Sequence, residues 1–301
     1  ALLVDVVGLA WLNRVKASGF VPSWSWASKR RAYWSYVVFA VGLSCWLDRH
    51  FDINELLLHM KIFALVFPLG LLDFYFSDCV HVPMRAFAGA GLWCSSVLLR
   101  ICALRAIVGD DLMFLVGDLS PMSLCREVLR FMVELPCIRM FSDLIFNPMH
   151  RLAHHRLVYS KSHKVHHEYT NKITSLVFYH GTYLDDFLMA VTTTFGAFLY
   201  VWLSSCVGCQ MSANSNMVEL LMAFNTLFSH PHDVRCASLI VPVPNALNFA
   251  AYHRVHHIHH GSNFGLTLPS DLVWDALLGC KTIWNPAPID EQGEVGTSKI
   301  K

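Results

Sequence analysis

The chain has 301 residues, 54% of them hydrophobic and only 15% charged, where soluble domains carry roughly 25% charged residues. With a mean hydropathy of +0.43 this argues against an ordinary soluble protein and for a membrane one, and a net charge of +1 leaves no basic face for nucleic acid. The outlier is histidine, with 17 residues, 14 of them between His150 and His260, in a chain holding 22 Asp plus Glu.

The first apolar stretch, Ala1–Leu12, contains Asp5 and runs into Arg14 and Lys16 without a small-residue cleavage site, so it does not read as a secretory signal. The missing initiator Met suits a trimmed chain, and 1–31 reads as a peripheral segment. Ala32–Leu47 follows the basic cluster Lys29-Arg30-Arg31 and is free of charge, though slightly short of the roughly 20 residues a span requires. Leu56–Phe76 tolerates His59, Lys61, Pro68 and Asp73 and pairs with it as a helical hairpin closed by Asp48-Arg49-His50. Ala86–Leu99 and Leu112–Val116 are punctuated by Arg100, Arg105, Asp110 and Asp111 and read as tilted, re-entrant or interfacial.

Ser123–Phe146 carries Arg126, Glu127, Arg130, Glu134 and Arg139 among apolar residues, the pattern of a helix with one face on protein or headgroups. Phe187–Leu203 and Met217–Ser229, the latter containing Glu219, form a second expected hairpin. By the positive-inside tendency Lys29–Arg31 lie in the cytoplasm, and two hairpins return the chain there each time. The expectation is an all-α integral membrane fold of about four or more transmembrane helices with a cytoplasmic His-rich catalytic cap. It forms one domain over 32–284, followed by a flexible polar tail, 285–301. The ten cysteines, scattered from Cys45 to Cys280, read as buried thiols, and Cys206-Val-Gly-Cys209 as chance spacing.

Three histidine groups stand out: His150-Arg-Leu-Ala-His154-His155, His163-Lys-Val-His166-His167 and His253-Arg-Val-His256-His257. Each contains an i,i+4 pair, and on a helix such offsets put side chains about 5–6 Å apart on one face, within reach of one metal or two adjacent metals. Neutral imidazole binds Fe, Zn, Cu and Ni, so spacing does not choose the metal. The nine histidines of these groups exceed the four ligands of a structural zinc site. A soluble di-iron bundle would present Glu and Glu-x-x-His ligands instead. Two metals fit the number of candidates best.

The run from His150 to Tyr169 resembles the integral-membrane fatty acid hydroxylase and sterol desaturase superfamily, whose signature is HxxxH, HxxHH and a distant HxxHH. The resemblance covers about 143–280: Asp143 matches an upstream acidic position, Asn263-Phe264-Gly265 the N-F/Y-G after the last box, and Trp274-Asp-Ala-Leu-Leu-Gly279 the closing W-D-x-x-x-G. His150-Arg-Leu-x-His-His followed by His163-Lys-Val-His-His-Glu168 is most similar to C-4 methylsterol oxidases; C-5 sterol desaturases and sphingolipid or fatty acid hydroxylases share much of it. The resemblance implies two non-haem Fe ions at the cytoplasmic face, O2 as co-substrate and attack on a lipid C–H bond. It implies His150, His154, His163, His166, His167, His253, His256 and His257 as ligands, with His180 and His230 matching two further ligand positions.

The chain departs from the pattern at both of those positions, reading His180-Gly-Thr-Tyr183 and His230-Pro-His232, which bears on the substrate subclass more than on the metal. His155 and His232 are possible additional ligands, whereas His259 and His260 occupy positions that are not usually His, and His50, His59 and His81 suit packing or interface roles. Asp143, Glu168 and Asp275 are candidate acceptors that orient imidazole N–H groups. No GxGxxG fingerprint or haem module is evident, so electrons come from outside, by resemblance from NAD(P)H through cytochrome b5 or its reductase. The lipid substrate is a sterol, sphingolipid or fatty acyl chain, and the expected location is the endoplasmic reticulum membrane. A membrane metal transporter, the non-enzyme reading, would place its polar ligands near mid-membrane rather than in Arg- and Lys-containing stretches.

Overall fold

Eight α-helices and four short 3-10 turns carry the chain in a computed structural model that describes residues 2–51, 55–93, 95, 120–170, 172–207, 216–239, 248–265 and 268–279. The helices are α1 (Leu2–Ala17), α2 (Trp26–His50), α3 (Glu55–Phe76), α4 (Pro121–Ala153), α5 (Tyr183–Cys206), α6 (Asn216–Leu227), α7 (Phe249–Ile258) and α8 (Leu268–Leu278). Residues 85–93 add a further helical stretch, and no strand occurs among the described residues, so the all-α expectation holds. The segment 96–119 and the tail from 280 onward lie outside the described residues, and with them most of the Ala86–Leu99 reading and all of Leu112–Val116.

Ser25 caps α2 by accepting from the Ser28 amide, which draws Lys29–Arg31 into the helix and extends it beyond the apolar run read from sequence. Its last turn carries Arg49 and His50, complementing the carbonyl end of the helix dipole. α2 and α3 pack together as expected, and α1 lies on α3. Leu9, Tyr33, Phe67 and Phe74 from these three helices are fully buried with Leu220 and Phe224 of α6 and Leu176 of the 175–179 turn.

The second expected hairpin is not one. α5 packs against α4, while α6 joins α3 and α2. Two features explain the exchange: α6 buries Leu220, Phe224 and Leu227 in the α1–α3 core, and α5 presents Gly196 to α4. A Cβ at Gly196 would lie 1.9 Å from Ser142 Cα, so only glycine permits this backbone approach. α4, 33 residues long, continues past Phe146 through Pro148 to Ala153 and so delivers the first histidine box.

Among the described residues no helix is long and apolar enough to cross a membrane; α3, the most apolar, also carries Glu55, Lys61 and Asp73. Large apolar side chains are nevertheless exposed in rows, Leu3, Val7 and Trp11 on α1 and Phe187, Val191, Phe195 and Trp202 on α5. Cys79 and Cys236 are buried as expected, but Cys125 and Cys206 are exposed, because α4 and α5 each leave one flank uncovered.

Candidate metal centre

Four segments converge on one buried region. α4 ends in it, carrying His150 in its last turn, and the His154 amide donates to the His150 carbonyl at 3.1 Å, so the i,i+4 relation survives the helix end. The second box is not α-helical: it runs through turns and a 3-10 segment at His166–Glu168. There the amides of His166 and His167 both donate to the His163 carbonyl, at 3.1 and 3.4 Å, and keep His163 and His167 on one side. α7 carries the third box, and Asn248 caps it by accepting from the amides of Ala250 and Ala251 at 3.1 and 3.0 Å while donating to Val234 O. His230 arrives at the end of α6.

These segments gather nine histidines into two adjacent groups: His150, His154, His163, His167 and His256 in one, His166, His230, His253 and His257 in the other, each group's candidate ligand atoms lying within 4.8 Å of one another. In α7 helical phase accounts for the partition: residues i and i+4 are about 40° apart, so His253 and His257 share the second group, whereas i+3 lies about 100° from i+4 and His256 turns to the first. The middle box, which is not α-helical, divides the opposite way, with His163 and His167 in the first group and His166 in the second.

Within the first group the Nε2 atoms of His150 and His163 are 2.9 Å apart, His163 and His167 3.1 Å, and His256 lies 3.1 Å from His154 and 3.2 Å from His167. In the second, His230 Nε2 is 3.1 Å from His166, 3.0 Å from His257 and 3.0 Å from His253. The outward nitrogens are held. Nδ1 of His150 donates to Phe264 O at 2.6 Å, of His166 to His180 O at 3.3 Å, of His256 to Ser262 O at 2.7 Å and of His257 to Tyr169 O at 3.1 Å. His163 Nδ1 is 2.8 Å from the Asp185 carboxylate and His230 Nδ1 2.7 Å from Ser229 Oγ.

A carbonyl accepts only, so those four rings carry their proton on Nδ1 and point bare Nε2 lone pairs inward. In the second group His230 can supply one proton on Nε2, yet three imidazole nitrogens face it. A cation resolves this mismatch. With metal–nitrogen bonds of about 2.1 Å, ligands at right angles stand about 3.0 Å apart, which is the spacing seen. Burial, reinforced for most rings by neighbouring imidazoles, pushes all nine pKa values down, His150 to about 4, His166 to about 3 and His154 to about 2. The rings are therefore neutral at pH 7 and their lone pairs available. The donor set fits two metal ions.

The structure places the remaining sequence candidates around this core. His180 lies outside both groups, with Nε2 3.1 Å from Glu168 and a buried Nδ1 without a partner. His232 also lies outside, its Nδ1 2.8 Å from Asp73 and Nε2 3.0 Å from Lys29. His155 is exposed and its Nδ1 accepts from the Leu157 amide. His259 and His260 belong to neither group, although His260 packs its ring 4.3 Å from that of His167. Glu168 contacts His180, Asp275 pairs with Arg151 at 2.6 Å, and Asp143 is fully buried, its backbone carbonyl accepting from Ser270. The side chain of His59 lies outside the described residues.

Three residues escaped the sequence reading. Asp185, five residues after His180, is the carboxylate that orients His163, and burial with Asp186 nearby pushes it up to about 8. Asp73 gathers Tyr33, Thr174, Ser175 and His232 around itself and so anchors the Pro231–His232 segment beside His230. Asp271 accepts from Asn147, Tyr252, Gly265 and Arg151, tying α4, α7 and α8 together. An acidic residue near a histidine box was the available signal for Asp185; nothing local marked the other two.

Fold and site together define a helical protein whose paired all-histidine groups are compatible with metal binding. Residues 135–280 match the fatty acid hydroxylase family model. This match, with the relative described next, supports the fatty acid hydroxylase and sterol desaturase superfamily. It is similar to human lathosterol oxidase, 27% identical over 165 residues, which is 53% of this chain and 48% of that protein, so the match spans about half the relative's length. No solved structure matches the chain.

Proposed function

We propose that the chain is a di-iron oxidoreductase that uses O2 to oxidise a C–H bond of a sterol in a membrane. The observation that carries this reading is the convergence of nine Nε2 atoms in two groups side by side. In its hydroxylating form the reaction is RH + O2 + 2e⁻ + 2H⁺ → ROH + H2O. A reduced iron pair supplies O2 activation that no side chain here can provide.

The chain's own residues position and insulate. Carbonyls of Phe264, Ser262, His180 and Tyr169 and the carboxylate of Asp185 fix the imidazole tautomers, so the ligand nitrogens need no rearrangement. Eight of the nine rings are buried, which excludes water from the centre. His150, His154, His163, His166, His167, His230, His253, His256 and His257 would hold the metals, while His180, whose imidazole faces Glu168, lies outside both groups. His155 and His232, which lie outside both groups, are not needed as ligands.

The exposed apolar rows of α1 and α5 support membrane contact by this enzyme, and a multi-pass arrangement in the endoplasmic reticulum follows the resemblance. Electrons reach it from NAD(P)H through cytochrome b5 or its reductase. The box residues favour a C-4 methylsterol, while the name of the human relative favours oxidation of lathosterol as a second reading.

The test incubates the iron-loaded protein with reductant, O2 and a panel of 4-methylsterols, lathosterol, ceramides and fatty acids, and identifies products by mass spectrometry. An oxidised sterol is expected. Oxidation of ceramide or fatty acid alone would overturn the sterol assignment, and no product with any lipid would turn the reading toward metal transport.

A further inference from the structure

A cavity of about 540 Å3 adjoins the five-histidine group, with His154, Tyr159, His260 and Phe264 in its wall. His154 is the one member of either group that is not fully buried. Among the described residues, it is where the five-histidine group meets open space. The four-histidine group is buried throughout.

His154 is also the ring held least. It is the first residue beyond α4, which ends at Ala153, whereas the Nδ1 atoms of His150 and His256 donate to the carbonyls of Phe264 and Ser262 and that of His163 faces Asp185. The His154 side chain has one hydrogen-bonding contact among the described residues, Nε2 to Nε2 of His256 at 3.1 Å. His167 Nδ1 lacks a partner too, but that ring is buried and does not line the cavity. An outer hydrogen bond that orients a ligating histidine is typically worth about 10–100-fold in metal affinity, so a ligand without one binds its metal more weakly. Aromatic contacts hold His154 instead: it stacks on Tyr159 with centroids 5.3 Å and planes 26° apart, and meets Phe264 at 5.3 Å. Both neighbours line the cavity, so an imidazole leaving the metal group passes into open space bordered by the same aromatic surface. Without His154 the group keeps four rings, the number that makes up the other group.

We propose that His154 is the exchangeable ligand of the five-histidine group: its imidazole gives way, on the cavity side, to a small external donor, while the other eight rings stay in place. The inference rests on the di-iron reading above and deepens it, because it assigns the side from which a small co-substrate such as O2 reaches the pair.

The test loads the full chain with Co2+, measures metal affinity by chelator competition, and then titrates azide, followed by the visible absorption of the metal. His154→Ala should keep two metals per chain and lower the affinity of the five-histidine group by less than about tenfold, whereas His150→Ala, which removes a ring fixed by a carbonyl, should lower it by more than that. Azide should bind His154→Ala at least about tenfold more tightly than wild type, because it no longer waits for a ring to leave. The azide arm separates exchange from packing, since a ring that only fills space would leave azide affinity unmoved. Equal metal loss in His154→Ala and His150→Ala, equal azide affinity in wild type and His154→Ala, or azide binding to neither would each overturn the proposal. A wild-type chain that binds no metal would overturn the two-metal reading itself, so the two failures are distinguishable.

Discussion

Replacing Asp185 by Asn tests whether the carboxylate beside His163 tunes the metal centre or merely packs. The two side chains are 2% and 3% exposed and their atoms 2.8 Å apart, so solvent neither screens the contact nor replaces it. Burial holds the metal-free Asp185 carboxyl up at about 8; a cation at His163 Nε2 would favour its ionised form, and the ring N–H on Nδ1 would then make a charge-assisted hydrogen bond about twice as strong as a neutral one. Asparagine keeps the shape and one acceptor oxygen but not the charge. Carboxylates that orient ligating histidines are typically worth 10–100-fold in metal affinity, or about 1.4–2.7 kcal/mol. The assay is chelator competition with Zn2+ and Fe2+ on wild type, Asp185→Asn and Asp185→Ala, with helicity followed by circular dichroism. Asparagine should weaken binding about tenfold and alanine more, with helicity retained. Unchanged metal affinity in both variants would refute the argument that Asp185 acts through His163.

Acid should destabilise the metal-free chain steeply. All nine imidazoles have folded pKa values below the ordinary ~6.5, so the unfolded state binds more protons below that pH. Stability is complete above about pH 6.5 and is lost as pH falls toward about 4 for His150 and about 3 for His166, each ring contributing up to about 1.4 kcal/mol per pH unit; a flat stability profile between pH 7 and 5 would contradict this. Gly196→Val should cost about 1–3 kcal/mol or more by forcing α5 off Ser142, read as a lower midpoint of thermal unfolding. Asn248→Ala removes the α7 cap and should cost about 1 kcal/mol, read in the same assay, with a loss of metal because three ligands ride on that helix.

The histidine boxes were legible in sequence because their offsets survive whichever local structure carries them: the i,i+4 relation held in α7, across the end of α4, and in the 3-10 turn at His166, where a helix was expected. Helix phase could also have given the turn of His256 to the other group, but only once the segments were known to face one another. What local pattern could not supply was partnership across the chain. The pairing of α5 with α4 depends on the approach of Gly196 to Ser142, and the anchoring of His232 on Asp73 joins residues 159 positions apart. His180 and His230 were both singled out as departures from the family pattern, and the structure separates them, with His230 at the centre of the second group and His180 turned to Glu168.

The central claim, that the two groups each hold one iron, is tested most directly by counting metal per chain. Elemental analysis of the purified protein should find two irons in wild type, with iron lost from the five-histidine group in His163→Ala and from the four-histidine group in His257→Ala, both variants remaining helical. Full iron retention in either variant, or a wild-type chain that binds no iron under reducing conditions, would contradict the assignment.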